Sequence, residues 1–291
     1  VAKDTIQCHI DFTVDDTFRS TLAFLERLGP ILARPSQADW CIDFTGCQYL
    51  GPNAAALLLA IWLDAKHHGL HPEILLPGEP AKLRAFCAFS GLAHHVTGAP
   101  LPASDDPRSE TVPLRQITKT VWTDPDPIIN LIHRHTALSE DEEENLRVCV
   151  QEVLQNIEDH ASSPIGGVYC ARYIGTRREI RVAFSDYGLG IEGTLKRNHP
   201  QITSASDAIL RVIEGNYSSK SLSRNLGVGI SNLALIVKNN GGMLTIISGD
   251  AASEITPGRQ RPRMVVLKTA LPGTSVFFTM RLSGESMVTE D

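Results

Sequence analysis

Between Glu144 and His160 the chain reads ENLRVCVQEVLQNIEDH, and within it Glu152, Asn156 and Asp159 stand four and then three residues apart. On a helix those spacings put a carboxylate, an amide and a second acid one turn above another on a single stripe, where the first two can address one ligand together. Leu146, Val150, Val153, Leu154 and Ile157 recur at helical spacing on another stripe, so that side is expected to pack into a core. Upstream, Ser139 and Glu142 fit a capping box that would start the helix. Charge on an amphipathic helix is ordinarily a solvated face. Three later motifs outweigh that reading.

The first is Asp186-Tyr187-Gly188-Leu189-Gly190, which leaves a strand with an acceptor carboxylate and two glycines. A flat ligand can approach the bare backbone there while the carboxylate takes an N–H donor. By itself such a segment is more often only a turn. The second, Asn225-Leu226-Gly227-Val228-Gly229, opens a helix expected over Ile230 to Lys238. It presents unpaired backbone N–H groups and the positive end of the helix dipole to an anion such as phosphate. The third, Pro272-Gly273-Thr274-Ser275, precedes a strand expected from Val276 to Leu282 and adds the Thr274 hydroxyl to a polar cluster.

The elements that must position these groups fall into two blocks. Residues 1 to about 97 alternate strand-like and helix-like patterns: Thr5 to Val14 extended, Thr17 to about Leu32 helical, Trp40 to Phe44 extended, and Asn53 to His68 a helix apolar nearly all round and stopped by Gly69. A short strand at Glu73 to Leu76, a helix at Glu79 to Ser90, and a turn with a final strand at Gly91 to Val96 complete the block. The order DFTGCQYLGPNAAALLLAIWLDAKHHGLHPEILL and then LRAFCAFSGLAHHV resembles a STAS domain, the module of anti-sigma-factor antagonists. That family commonly carries a phosphorylatable serine before the apolar helix; this chain has Leu50, Gly51, Pro52 and Asn53, so the phosphorylation switch is expected to be absent. A scaffold that only packs against its neighbour or a second copy is the competing reading.

Gly98 to Pro113 has linker composition, rich in Pro, Ser and Asp. Beyond it come a strand from Leu114 to Thr120, a helix from Pro127 to Thr136, the Glu152 helix, and strands at Val168 to Ile174 and Ile180 to Phe184. A helix is expected at Ser204 to Glu214, followed by a polar lid in which Lys220 or Arg224 reaches a terminal phosphate or stays solvated. After a strand at Met243 to Ser248, Gly249 to Arg263 reads as a long polar loop before the strand Met264 to Lys268.

In this order the four motifs resemble the GHKL superfamily of ATP-binding domains, which includes gyrase B, histidine kinases and the anti-sigma serine kinases. The resemblance implies Mg2+ held with the help of Asn156, adenine bound through Asp186, and a pocket floored by Gly188 and Gly190. It places phosphates on the backbone of Gly227, Val228 and Gly229, and Asp159, Lys220 and Thr274 are further candidates for contact with the nucleotide. It makes Glu152 the general base that polarises a water or a substrate hydroxyl toward the γ-phosphate. Histidine kinases usually have Asn at the Glu152 position, and no phosphoacceptor-histidine helix hairpin precedes this domain; the chain is similar to anti-sigma kinases and gyrase-type ATPases instead.

The fold class expected is therefore α/β, with a STAS-like domain over 1–97, a linker over 98–113, a GHKL sandwich of a mixed sheet covered by helices over 114–283, and a tail over 284–291. With 291 residues and 42% hydrophobic content the chain can bury substantial cores. A formal charge of -6 speaks against a general nucleic-acid or membrane-surface binder. Six scattered cysteines without C-x-x-C pairs fit reduced buried thiols, and no apolar run is long enough to span a bilayer, so a cytoplasmic protein is expected. His67, His68, His71, His94 and His95 cluster at element ends without metal-ligand spacing and read as surface histidines. The function expected is a Mg-ATP-binding protein that hydrolyses slowly and controls a regulatory protein partner. The alternatives are a serine/threonine protein kinase of anti-sigma type and a nucleotide-gated binding module without turnover. A homodimer is compatible with both modules.

Overall fold

The computed structural model describes residues 5–33, 38–101, 110–160, 162–215 and 229–281. Its architecture is α/β, as the sequence predicts. The first block runs β1 (Ile6–His9), α1 (Phe18–Leu32), β2 (Trp40–Asp43), α2 (Pro52–His67), β3 (Glu73–Leu75), α3 (Ala81–Phe89) and α4 (Leu92–Thr97). Its strands form a parallel sheet in the order β1-β2-β3. The second block runs β4 (Thr111–Ile117), α5 (Asp126–His135), α6 (Glu140–His160), β5 (Gly167–Ile174), β6 (Glu179–Asp186), α7 (Gly190–Lys196), α8 (Ala205–Ile213), α9 (Gly229–Asn239), β7 (Leu244–Ile255) and β8 (Arg263–Arg281). These strands pair antiparallel in the order β4-β5-β6-β8-β7.

Local chemistry explains the two helices that matter most. α6 starts at the capping box: Glu142 Oε2 accepts the Ser139 N–H at 2.9 Å, and Ser139 Oγ accepts the Glu142 N–H at 3.4 Å. Four acids in its first turn complement the helix dipole. α2 begins with Pro52, whose missing N–H costs nothing at a first helical position, and every residue from Pro52 to Ile61 is buried. A helix apolar all round needs cover on all sides, and α2 has it: it lies against β5 and β6 of the antiparallel sheet and shares a core with residues of α1, α4 and the parallel strands.

Three local expectations change. Gly91 to Val96 is not a final strand: α4 closes with Gly98 N–H on the His94 carbonyl, bracketed by left-handed Gly91 and Gly98. A segment this short with one fully buried apolar residue, Leu92, fits either period, and its backbone hydrogen bonds decide. Gly249 to Arg263 is not a long loop. β7 continues to Ile255 and pairs with an earlier-starting β8, Ala252 opposite Val265 and Glu254 opposite Arg263. The ladder satisfies the backbone of these residues whatever their polarity. Strand β1 ends at His9 instead of Val14, which makes only an isolated bridge to Leu50.

The antiparallel sheet separates two cores. Alternate residues of β6 point to opposite faces: Ile180, Val182 and Phe184 join a core with α5, α6, α8 and α9, whereas Ala183 joins the core of the N-terminal block. The N-terminal block thus covers the sheet's second face with α1 and α2. Arg172 over the Phe86 ring at 4.7 Å and Arg263 over Phe18 at 5.3 Å add cation–π contacts across this junction. Lys268 pairs with Glu26 at its edge.

Its buried charge is Arg181, whose side chain is 3% exposed. Its Nη1 donates to Asp16 Oδ2 at 3.2 Å and to the Asp15 carbonyl at 2.8 Å, and its Nε donates to Glu179 Oε1 at 2.7 Å. The two carboxyl groups and the carbonyl compensate the buried guanidinium, and removing one partner of such a pair costs about 3–5 kcal/mol.

Candidate functional site

β6 delivers Asp186 to the helix-covered side of the sheet. Its carboxyl group is buried, with Oδ1 accepting the Gly188 N–H at 3.0 Å and the Thr274 N–H as a further donor. Burial pushes this carboxyl up to about 7, against the pull of the two N–H groups. A carboxylate has about four lone-pair sites, so these bonds leave acceptor capacity for a ligand N–H.

The glycine turn after Asp186 is stapled to β7 and β8 by one hydroxyl. Ser248 Oγ accepts the Ile191 N–H at 2.8 Å, donates to the Gly273 carbonyl at 3.0 Å and lies 3.1 Å from Thr274 Oγ1. It therefore fixes Gly190, which opens α7, against the Pro272–Ser275 segment. Gly273 has φ +86°, and a β-carbon there would overlap the Asp186 carbonyl and come within 2.7 Å of Gly188 N. Only glycine lets β8 lie this close beneath the turn.

A second cluster forms where α6 meets α9. Glu152 is partly buried and packs on Gly229, the first residue of α9. A β-carbon at Gly229 would overlap Glu152 Oε2 and approach Glu152 Cβ to 2.8 Å. The helix head and the carboxylate are thus in direct contact, and because Cβ is also in the way, the Glu side chain cannot simply swing aside. Gly229→Ala is expected to lower stability by about 1–3 kcal/mol, the usual cost of overpacking; urea unfolding at an unchanged m-value checks it. Asn156 and Asp159 lie exposed on the same helix, one and two turns beyond Glu152.

Asp186, Gly188, Gly190 and Thr274 are thus brought into one cluster, and Glu152 and Gly229 into another. Lys220, Gly227 and Val228 lie outside the described residues, as does Arg224. Sequence reasoning gave no role to Ser248 or Ser185, nor to Ser275, which closes the third motif. Ser185 donates to Ser275 Oγ at 3.0 Å inside the junction. The signal present was a hydroxyl bordering each strand pattern, which small polar residues at strand ends commonly supply without meaning.

No family model matches the chain, and no curated protein matches it. Among solved structures it is similar to the topoisomerase IV ATP-binding domain of Francisella tularensis in complex with a small-molecule inhibitor, at 12% sequence identity and a TM-score of 0.26. The match covers 60% of this chain and 43% of that one, so this chain spans less than half of that structure's length. Among the described residues no helix is long and apolar enough to cross a membrane.

Proposed function

We propose that this protein binds Mg-ATP on the helix-covered face of its antiparallel sheet, hydrolyses it slowly, and uses the nucleotide state to control a protein partner in the cytoplasm. The observation that carries the reading is the buried Asp186 carboxyl, held at the end of a central strand beside a glycine turn with acceptor capacity left over. Such a group has little reason to be retained in a desolvated place unless a ligand donor completes it. The adenine amino group is the donor that the four-motif resemblance assigns to it.

At the other cluster, Glu152 against the head of α9 offers a carboxylate next to the helix end that would take the phosphates. Glu152 acts in this reading on the attacking oxygen, accepting its proton as the bond to the γ-phosphorus forms and the bond from the γ-phosphorus to the β,γ-bridging oxygen breaks, with ADP leaving. Mg2+ bound beside the phosphates would neutralise their charge, with the Asn156 amide oxygen as the protein ligand and water filling other positions. Asn156→Ala is expected to weaken nucleotide binding in the presence of Mg2+ and to leave the metal-free affinity unchanged. Titration calorimetry at matched ionic strength, with and without Mg2+, makes the comparison; equal magnesium dependence in variant and parent refutes this role.

The reading as a whole is tested by ATP calorimetry on the full chain, followed by incubation with labelled ATP alone and with candidate partners. Free phosphate supports the hydrolase. Label on a partner's serine or threonine turns the same site into a protein kinase, and affinity without either product leaves a nucleotide-gated binding module. Absence of ATP affinity sinks the proposal.

A further inference from the structure

We propose that Asn53, supplied by the N-terminal block, is a positioning residue for the nucleotide pocket on the far side of the sheet; this rests on the ATP reading above. Asn53 is the second residue of α2 and is buried. Its Oδ1 accepts a hydrogen bond from Ser275 Oγ at 3.2 Å, and Ser275 Oγ in turn accepts one from Ser185 Oγ at 3.0 Å. Ser185 and Ser275 face each other in register on β6 and β8. Because successive residues of a strand point to opposite faces, their neighbours Asp186 and Thr274 emerge on the pocket side.

The place where this chain of hydroxyls sits is where the sheet's own bonding gives out. The β6–β8 ladder ends at the Ser185–Ser275 pair, and the β7–β8 register shifts immediately after Ser248 opposite Thr274. Beyond that point no regular ladder aligns the Asp186 turn with the Gly273–Thr274 segment. Side-chain hydrogen bonds take over: Ser248 on the pocket face, and Asn53 with its two serines on the other.

Asn53 is itself held from both ends. Its Nδ2 donates to Thr21 Oγ1 at 3.3 Å, and its backbone N–H donates to Asp16 Oδ1 at 3.1 Å. The Asp16 carboxylate reaches that position because residue 51 is Gly; a β-carbon there would overlap it. The other oxygen of Asp16 takes Arg181, which lies four residues before Ser185 on β6. The bonds therefore form a closed circuit, from β6 through Arg181, Asp16, Asn53, Ser275 and Ser185 back to β6. Two anchors on one strand fix the spacing between the strand and the head of α2. An apolar junction would bury as well; it would not set the height at which Asp186 leaves the sheet.

The test compares the parent chain with Asn53→Ala and Ser275→Ala in two measurements. The first is affinity for ATP and for inosine triphosphate, which lacks the amino donor that Asp186 would read. The parent is expected to prefer ATP by about tenfold or more, the worth of one charge-assisted hydrogen bond. Both variants are expected to lose most of that preference while binding inosine triphosphate as the parent does, a pattern that general destabilisation does not produce. The second is amide hydrogen exchange in the nucleotide-free protein. Exchange at Gly188 and Thr274, the two N–H groups on Asp186, is expected to accelerate about tenfold relative to Val182 in the middle of β6. If the variants keep both the ATP preference and the protection at Gly188 and Thr274, the positioning role is overturned while the ATP reading stands. If the parent binds neither nucleotide, the ATP reading fails and the exchange measurement alone decides whether Asn53 holds the Asp186 turn. Should Asn53→Ala fail to fold, Ser275→Ala, which removes only a hydroxyl, carries both measurements.

Discussion

Glu152→Ala is expected to bind ATP with the parent's affinity and to lose turnover by about 10² to 10⁴-fold, the usual contribution of a positioned general base. The separation follows from where the residue stands. Glu152 packs on Gly229 at the head of α9, whereas Asp186 takes its hydrogen bonds from Gly188 and Thr274. Removing the carboxylate therefore leaves Asp186 and its turn untouched. Truncation also opens a small gap beside Gly229, so Glu152→Gln belongs in the same experiment: it keeps the shape and removes the basicity. Phosphate release and protein labelling measured under single-turnover conditions, beside calorimetric affinity, give the answer. A Gln variant that turns over at the parent's rate shows that Glu152 is not the base. If the parent itself turns nothing over with any partner tried, Glu152 is a polar residue on a helix face and the binding-module reading replaces the enzyme.

Asp186→Asn is expected to weaken ATP binding by roughly 10- to 150-fold, equivalent to about 1.5–3 kcal/mol for a hydrogen bond to a charged acceptor. The pH dependence sharpens the expectation. In the free protein burial raises the Asp186 carboxyl from 3.8 to about 7, so the folded state holds a proton there that the unfolded chain has already released. Its contribution to stability is thus fully present below pH 4 and is lost as pH rises through about 7. Ligand binding runs the other way: the amino donor needs the ionised carboxylate, so ATP affinity should rise with pH across the same range, with proton release on binding. In Asp186→Asn both slopes should flatten, which separates this group from the titration of the nucleotide's own phosphates. Calorimetry in two buffers of different ionisation heat measures the proton released. Unchanged affinity in the variant, or no proton release by the parent near pH 7, removes Asp186 from the pocket.

Much of the fold is legible in the residues because local rules carry it. Ser139 and Glu142 mark where α6 begins, since a capping box needs only neighbours three apart. The all-apolar run after Pro52 announces a buried helix, and the alternating rhythm of the first third announces α/β. Local rules also single out Asp186 with its glycines and Thr274, which the fold gathers into one cluster although 88 residues separate Asp186 from Thr274. Where composition and pairing disagree, the sequence misleads: Gly249 to Ile255 looks like a loop because it is polar, but the pairing of Ala251 to Glu254 with β8 makes it strand.

What the sequence alone determines, then, is where the long, strongly patterned helices lie, which face of α6 is apolar, and which residues have the chemistry to serve a ligand. What only the tertiary structure decides is who covers the second face of the antiparallel sheet. In β6, Arg181 and Ser185 alternate with Ile180, Val182 and Phe184, a pattern that reads as one buried face and one wet face. Both faces are buried. The reason is that the partners of Arg181 and Ser275, Asp16 and Asn53, lie 165 and 222 residues away in the chain. Periodicity reports a residue's own preference for burial, whereas the energy of a buried charge or hydroxyl depends on a partner that no local window contains.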